Sequence, residues 1–161
     1  MQQTDEMLFA TEAQQMQERA EQASTEIATE KYLIFSSDNL MYGIRAEQVK
    51  DIITDYTITY IPQVPNYVRG VINLRGQIIP MLDIRLRLGK APQDNFCGIV
   101  VDVDGNMVGI QVDMVEQMVD VPVGDILPVP TSSNQTMVSG MCTLPDGNTM
   151  LELDCELLLH D

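Results

Sequence analysis

Several residue types that most enzymes, membrane proteins and nucleic-acid binders depend on are scarce or missing in this sequence. There is no tryptophan, aromatic residues make up 5% of the 161, and histidine occurs once. With so few rings, packing must come from Val, Ile, Leu and eleven Met, whose flexible thioethers fill irregular gaps. The one histidine, His160, is the last residue but one, where chains usually fray, so neither a Ser-His-Asp nor a Cys-His arrangement has a base to build on. Cys97, Cys142 and Cys155 are odd in number and 45 and 13 residues apart. That spacing fits neither a disulfide framework nor paired zinc ligands, and it reads as three reduced thiols in a cytosolic protein. No apolar run approaches the length that spans a bilayer, and the first residues are acidic where a secretory signal is basic. A cytoplasmic chain without direct membrane insertion is the expectation.

Positive charge is the next shortage. Nine Lys and Arg face 24 Asp and Glu, a net charge of −15, and after Lys90 no basic side chain of either kind appears. Residues 1–30 carry a net −6, residues 31–90 a net +3 and residues 91–161 a net −12. Nucleic-acid binding needs clustered cations that displace counterions from phosphates, and docking on anionic lipid needs the same, so both are excluded as partners.

What is present is an ordinary globular composition, 45% apolar, in a chain long enough to bury a substantial core. Residues 1–30 are rich in Gln, Glu, Ala and Thr, with good helix formers from Thr11 to Glu30 but too few apolar positions for a stripe. They are expected to form an acidic tail, flexible or helical. From Lys31 onward the pattern changes to short β-branched runs broken every eight to twelve residues by turn signals, which predicts an all-β barrel or sandwich over residues 31–161. Strands are predicted at 32–36 and 40–45 around an Asp38-Asn39 turn. One helical turn then runs into a further strand across 46–53, and an irregular connection follows at Pro62 and Pro65.

Two hairpins can be set in register. A turn at Asp104-Gly105 puts Val101 opposite Val108 and Ile99 opposite Ile110, giving one uniformly apolar face. Its other face, with Val100, Asp102, Met107, Gly109 and Gln111, is predicted to be mixed and partly wet. A turn at Arg75-Gly76 puts Ile72 opposite Ile79; Gly76 supplies the positive φ, and nothing in the turn requires Arg75 to be arginine. A third turn at residues 145–148 precedes a strand at 149–153, after which Asp154 is placed to cap a short terminal helix. Nine or ten strands result, and no parallel α/β alternation.

The search for chemistry returns no catalytic, cofactor-binding or metal-binding set. The glycines at 70, 76, 98, 105 and 109 lie in hairpins instead of before a helix. The Asp102–Asn106 run has its glycine at the fourth position of a calcium loop that requires it at the sixth. The Asn134 sequon has no secretory signal to give it meaning. What stands out instead is a set of cations in an acidic chain, Arg45, Lys50, Arg69, Arg75, Arg85, Arg87 and Lys90, which together suggest a protein interface.

The run Gly70-Val71-Ile72-Asn73-Leu74-Arg75-Gly76-Gln77-Ile78-Ile79-Pro80-Met81-Leu82-Asp83-Ile84-Arg85 resembles the signature of the CheW family, the coupling proteins of bacterial chemotaxis. Tyr42-Gly43-Ile44, Val49-Lys50-Asp51-Ile52, Ile61-Pro62 and residues 108–113 and 152–159 follow that family's order and spacing. The resemblance implies two packed SH3-like five-stranded β-barrels with a short C-terminal helix and no enzymatic activity. It implies an adaptor or scaffold role, bridging chemoreceptor cytoplasmic tips to the regulatory domain of the histidine kinase CheA in membrane-associated receptor arrays. The other readings are a barrel of this kind that binds a small ligand between its halves, and an adaptor in a non-motility chemosensory pathway. With no receiver, kinase or phosphotransfer segment in the sequence, a stand-alone adaptor is expected.

Carried over by position, the resemblance implies partner-binding roles for Arg75 in the hairpin turn, for Val49 and Asp51, where Asp replaces the commoner Glu, and for Arg69 and Gly70. It implies the same for Gly109, Val112 and Val115, on a strand lining the groove between the barrels. A receptor tip, a helical hairpin, would then bury its apolar face against Val49, Val112 and Val115 while Arg75 pairs with a carboxylate at the rim.

Overall fold

The computed structural model describes residues 11–19, 28–92, 97–129 and 137–159. His160 and the Asn134 sequon lie outside these residues, as does most of the predicted tail. Residues 11–19 form a helix, α1, with every side chain exposed, as its lack of an apolar stripe dictates.

The strands among the described residues are β1 (Thr29–Ser37), β2 (Leu40–Arg45), β3 (Val49–Ile53), β4 (Val68–Leu74), β5 (Gln77–Asp83) and β6 (Cys97–Val103). They continue with β7 (Asn106–Val112), β8 (Met114–Pro122), β9 (Leu127–Pro128), β10 (Val138–Thr143) and β11 (Thr149–Leu153). Helices α2 (Ile84–Arg87) and α3 (Cys155–Leu159) are short, and single 3-10 turns at Ala46–Gln48 and Val123–Asp125 precede β3 and β9. Three tight turns are built alike: Asp38-Asn39, Arg75-Gly76 and Asp104-Gly105 all have positive φ at both residues, the backbone that suits the twist of a hairpin. In two of them a side chain three residues before the turn's glycine fastens the loop, as Asn73 Oδ1 accepts the Gly76 N–H at 2.9 Å and Asp102 Oδ1 the Gly105 N–H at 2.8 Å.

Both register expectations hold, with Ile72 opposite Ile79 and Val101 opposite Val108. Asp154 caps α3 through Oδ1, which accepts the N–H groups of Glu156 and Leu157. Three elements went unread. β8 lacks clean alternation because a bulge interrupts it, β9 is only two residues long, and α2 is a single turn started by the Asp83 carboxylate accepting the Arg85 N–H.

The strands form two sheets with the orders β8-β1-β2-β11-β10-β9 and β3-β6-β7-β5-β4, the two barrels of the fold. The first barrel takes strands from both ends of the domain and the second from its middle, so the chain crosses between them after β2 and again after β7. Each contains one parallel pair, β2 with β11 and β5 with β7, and each places a methionine over a glycine across that pair. A Cβ on Gly43 would lie 2.3 Å from Met150 Sδ, and one on Gly109 would lie 2.1 Å from Met81 Sδ.

Three apolar clusters follow from strand alternation. Tyr32 and Ile34 point into the first barrel with Val121, Cys142, Leu144 and Met150; Val100 points into the second with Ile53, Ile72, Ile79 and Met81. The largest cluster lies between the barrels and takes the opposite faces of the same strands: Leu33 and Phe35 from β1, and Ile99, Val101, Val108 and Ile110 from the β6–β7 hairpin. The uniformly apolar face of that hairpin is therefore the inter-barrel face. The other face, expected to be partly wet, is a barrel interior. Val100, Gly109 and Gln111 are buried there, and only Asp102 and Met107, near the turn, reach solvent.

Candidate functional site

Arg75 stands at the β4–β5 tip with 83% of its side chain exposed, and its Nη2 lies 3.3 Å from Asp51 Oδ2 on β3. β3 and β4 are opposite edges of the five-stranded sheet, so this ion pair spans the seam of the second barrel. Two residues that the sequence singled out separately are thus brought together. An exposed pair of this kind adds little to stability; what it does is hold the guanidinium over the barrel edge with most of its donors facing solvent.

Bulges control what surrounds it. At the β3–β6 pairing the register shifts between Val49 and Asp51, so Val49 faces Val101 and Ile52 faces Ile99, both on the inter-barrel side. At the β1–β8 pairing it shifts between Ile34 and Phe35, so Val115 faces Phe35 and Met118 faces Leu33, again on the inter-barrel side. Val49, Val115 and Cys97 are half-buried against the inter-barrel core, while Ile52 and Met118 remain 41% and 50% exposed at its margin. The Val115 backbone N–H faces the sulfur of Cys97, so the start of β6 lies against β8. Burial nevertheless raises that thiol above its usual range, so it is a packing group. The outcome is an apolar margin running from β3 across Cys97 to β8, with the Asp51–Arg75 pair beside it.

The other residues singled out by the sequence have different positions. Val112 is 2% exposed within the inter-barrel core, and Gly109 is buried beneath Met81, so neither presents a side chain to solvent. Gly70 has φ +146 and a Cβ there would come 2.2 Å from Thr59 O; it is glycine so that the Thr59–Val71 backbone bridge can form along the outer edge of β4. Arg69 is the extra residue of the β4 bulge and lies 3.6 Å from Asp83, whose carboxyl is raised above its ordinary range by burial, against the opposing pull of the Arg85 N–H and Arg69. Asp83 Oδ2 has no hydrogen-bond donor, so Arg69 compensates a buried acid from the barrel edge. Arg87 stacks over Tyr67 at 4.5 Å, and Arg85 and Lys90 pair with Asp38 and Asp113. Most of the cations that together suggested an interface are therefore engaged within the fold.

Among the described residues no cluster of three or more His, Cys, Asp or Glu is arranged to hold a metal ion. A cavity of about 190 Å³ is lined by Arg45, Gln48, Ser139 and Glu152 among others. Its buried carboxylate is already satisfied: Tyr32 donates to Glu152 Oε2, and Ser139 Oγ to Oε1 at 2.7 Å. Burial, then the adjacent Glu152 charge, raises the Tyr32 phenol well above its usual range, so it stays protonated as a donor. Among the described residues no helix is long and apolar enough to cross a membrane.

Comparison with known proteins places the two-barrel fold. The family model described as the CheW-like domain matches residues 31–161. The chain belongs to that family. A chemotaxis protein CheW of Klebsiella aerogenes is 33% identical over 108 residues, 65% of each chain, and protein FrzA of Myxococcus xanthus is 32% identical over 104 residues, 63% of this chain and 65% of that one. These matches span just under two thirds of the relatives' own length. The crystal structure of the scaffolding protein TtCheW from Thermoanaerobacter tengcongensis aligns with a TM-score of 0.73 at 28% identity, over 79% of this chain and 90% of that one. In this CheW-like domain, Ile52 and Met118 are the margin residues that strand alternation alone missed. Ile52 was visible within the Val49–Ile52 motif. Met118 was hidden because the extra bulge residue, Glu116, reverses the facing of all that follows it.

Proposed function

We propose that this chain is a non-enzymatic adaptor that couples the cytoplasmic tips of chemoreceptors to the regulatory domain of the histidine kinase CheA. Arrays of those receptors would recruit it to the membrane. The reading rests above all on the uninterrupted family match over residues 31–161, together with a surface suited to the task. Val49, Ile52, Val115 and Met118 offer apolar contact to one face of a receptor helical hairpin. Arg75 reaches a carboxylate at the rim, where a charge sets register and association rate while the buried apolar contacts set affinity. Asp51 holds the guanidinium in place until that exchange of partners. Arg69 and Gly70 shape the base of the hairpin, and Gly109 and Val112 support the groove from beneath.

The test is co-assembly of three purified components: this chain, a receptor cytoplasmic fragment and the kinase. An adaptor brings kinase and receptor fragment into one sedimenting complex only when it is present. If receptor and kinase co-sediment equally well without it, or if neither binds it, the proposal fails.

A further inference from the structure

Where the chain crosses from the second barrel into the first, a group of charged side chains ties α2, which follows β5 of the second sheet, to the β1–β2 turn and the start of β8, which lie together in the first sheet. Arg85, in α2, is 12% exposed and makes a two-pronged contact with Asp113, Nε to Oδ1 at 2.9 Å and Nη2 to Oδ2 at 2.6 Å. Its Nη1 reaches Asp38 Oδ1, in the β1–β2 turn, at 3.3 Å, and Lys90 Nζ also pairs with Asp38. The backbone closes the arrangement: the Asp38 N–H donates to Asp113 Oδ2 at 2.9 Å and the Asp113 N–H to Ser36 O at 3.0 Å. Asp113 is the single residue between β7 and β8. It follows Val112 of the inter-barrel core and precedes β8, which carries Val115 and Met118 to the groove margin.

We propose that Arg85 and Asp113 are positioning residues for the partner groove, fixing the angle at which β8 leaves the second barrel and hence the distance from Val115 and Met118 to Val49 and Ile52. The apolar core holds the barrels together without direction, whereas a planar guanidinium gripping one carboxylate through two parallel hydrogen bonds specifies an orientation. The pair is mostly removed from solvent, so salt screens it little. Lys90, half exposed, adds charge without geometry.

The proposal rests on the adaptor reading for its functional consequence but not for its structural one, and two measurements separate them. The first is amide hydrogen exchange by NMR on the full chain. In Asp113→Asn, which keeps the side-chain shape, and in Arg85→Gln, exchange at Asp38, Asp113 and the first residues of β8 accelerates tenfold or more, while β10 and β11 keep wild-type protection. The double variant exchanges no faster than Arg85→Gln alone, which already removes the Asp113 contact together with the one to Asp38. The second is affinity for a receptor-tip fragment, which falls tenfold or more in both variants, with affinity for the kinase regulatory domain within twofold of wild type. Lys90→Gln stays within twofold in every measurement. Unchanged exchange in Asp113→Asn overturns the positioning role, as does faster exchange with undiminished tip affinity. If the wild-type chain does not bind the tip, the adaptor reading falls, and the exchange data alone decide what the pair does.

Discussion

Arg75 shows how a residue can be unnecessary to the fold and still be held in a defined place by it. Its backbone takes φ +53, which Asn or Gly would adopt at less cost, and its side chain is mostly in water beside Asp51. Arg75→Glu therefore leaves the melting temperature within about 2 °C of wild type, since exposed substitutions outside such networks change stability by about 0.5 kcal/mol or less. It lowers affinity for a receptor-tip fragment about tenfold or more by setting like charges at the rim. Calorimetry and a binding titration on the same sample read both. Asp113 behaves in the opposite way. The Arg85 guanidinium, then the Asp38 N–H, holds its carboxyl below the ordinary 3.8. A depressed carboxyl contributes stability at pH values above its unfolded pKa and loses it as pH falls through 3.8 towards the folded value. Urea unfolding between about pH 5 and pH 3 will show wild type losing stability more steeply than Asp113→Asn, and parallel curves would mean the carboxylate contributes nothing.

At the scale of strands and turns, much was legible because local rules and tertiary packing agree. The β4–β5 and β6–β7 hairpins could be registered from turn chemistry alone, and Asp154 marked the start of α3. Legibility ended at the bulges. The unpaired residues there, Lys50, Arg69, Glu116 and Ser139, are all polar, and each reverses which face the rest of its strand presents. Strict alternation cannot anticipate that, which is why Met118 was missed, whereas the helical turn running into a strand across 46–53 is found as expected. Burial was also misjudged where a face turned inward to a second core, as at Val100. The Thr59–Val71 bridge is a contact that only the fold shows, and it gives Gly70 a role independent of partners. Gly70→Ala, by clashing with Thr59 O at positive φ, will cost about 3 kcal/mol or more in denaturant unfolding. A smaller loss with impaired binding would mean that this glycine serves a partner and not the backbone bridge.

For the whole molecule, the net charge of −15 takes on a different distribution once the topology is known. The second barrel, residues 49–112, has six Lys and Arg against six Asp and Glu and is neutral; the first, built from residues 29–48 and 113–161, has two against twelve. The +3 stretch read along the chain is thus divided between barrels, and most of its cations are paired internally, leaving the Arg75 tip as the prominent basic feature beside the groove. A neutral barrel bearing that tip, next to a strongly acidic one, orients an approaching partner towards the second barrel's edge and keeps copies of the chain apart. The central claim is that the inter-barrel margin is where a receptor tip docks. Backbone amide shift mapping of the isotope-labelled chain, titrated with a receptor-tip fragment, tests it most directly. Perturbations should concentrate at residues 49–52, 75–76 and 115–118; perturbations concentrated instead around Val123 and Leu127, at the far end of the first barrel, would contradict it.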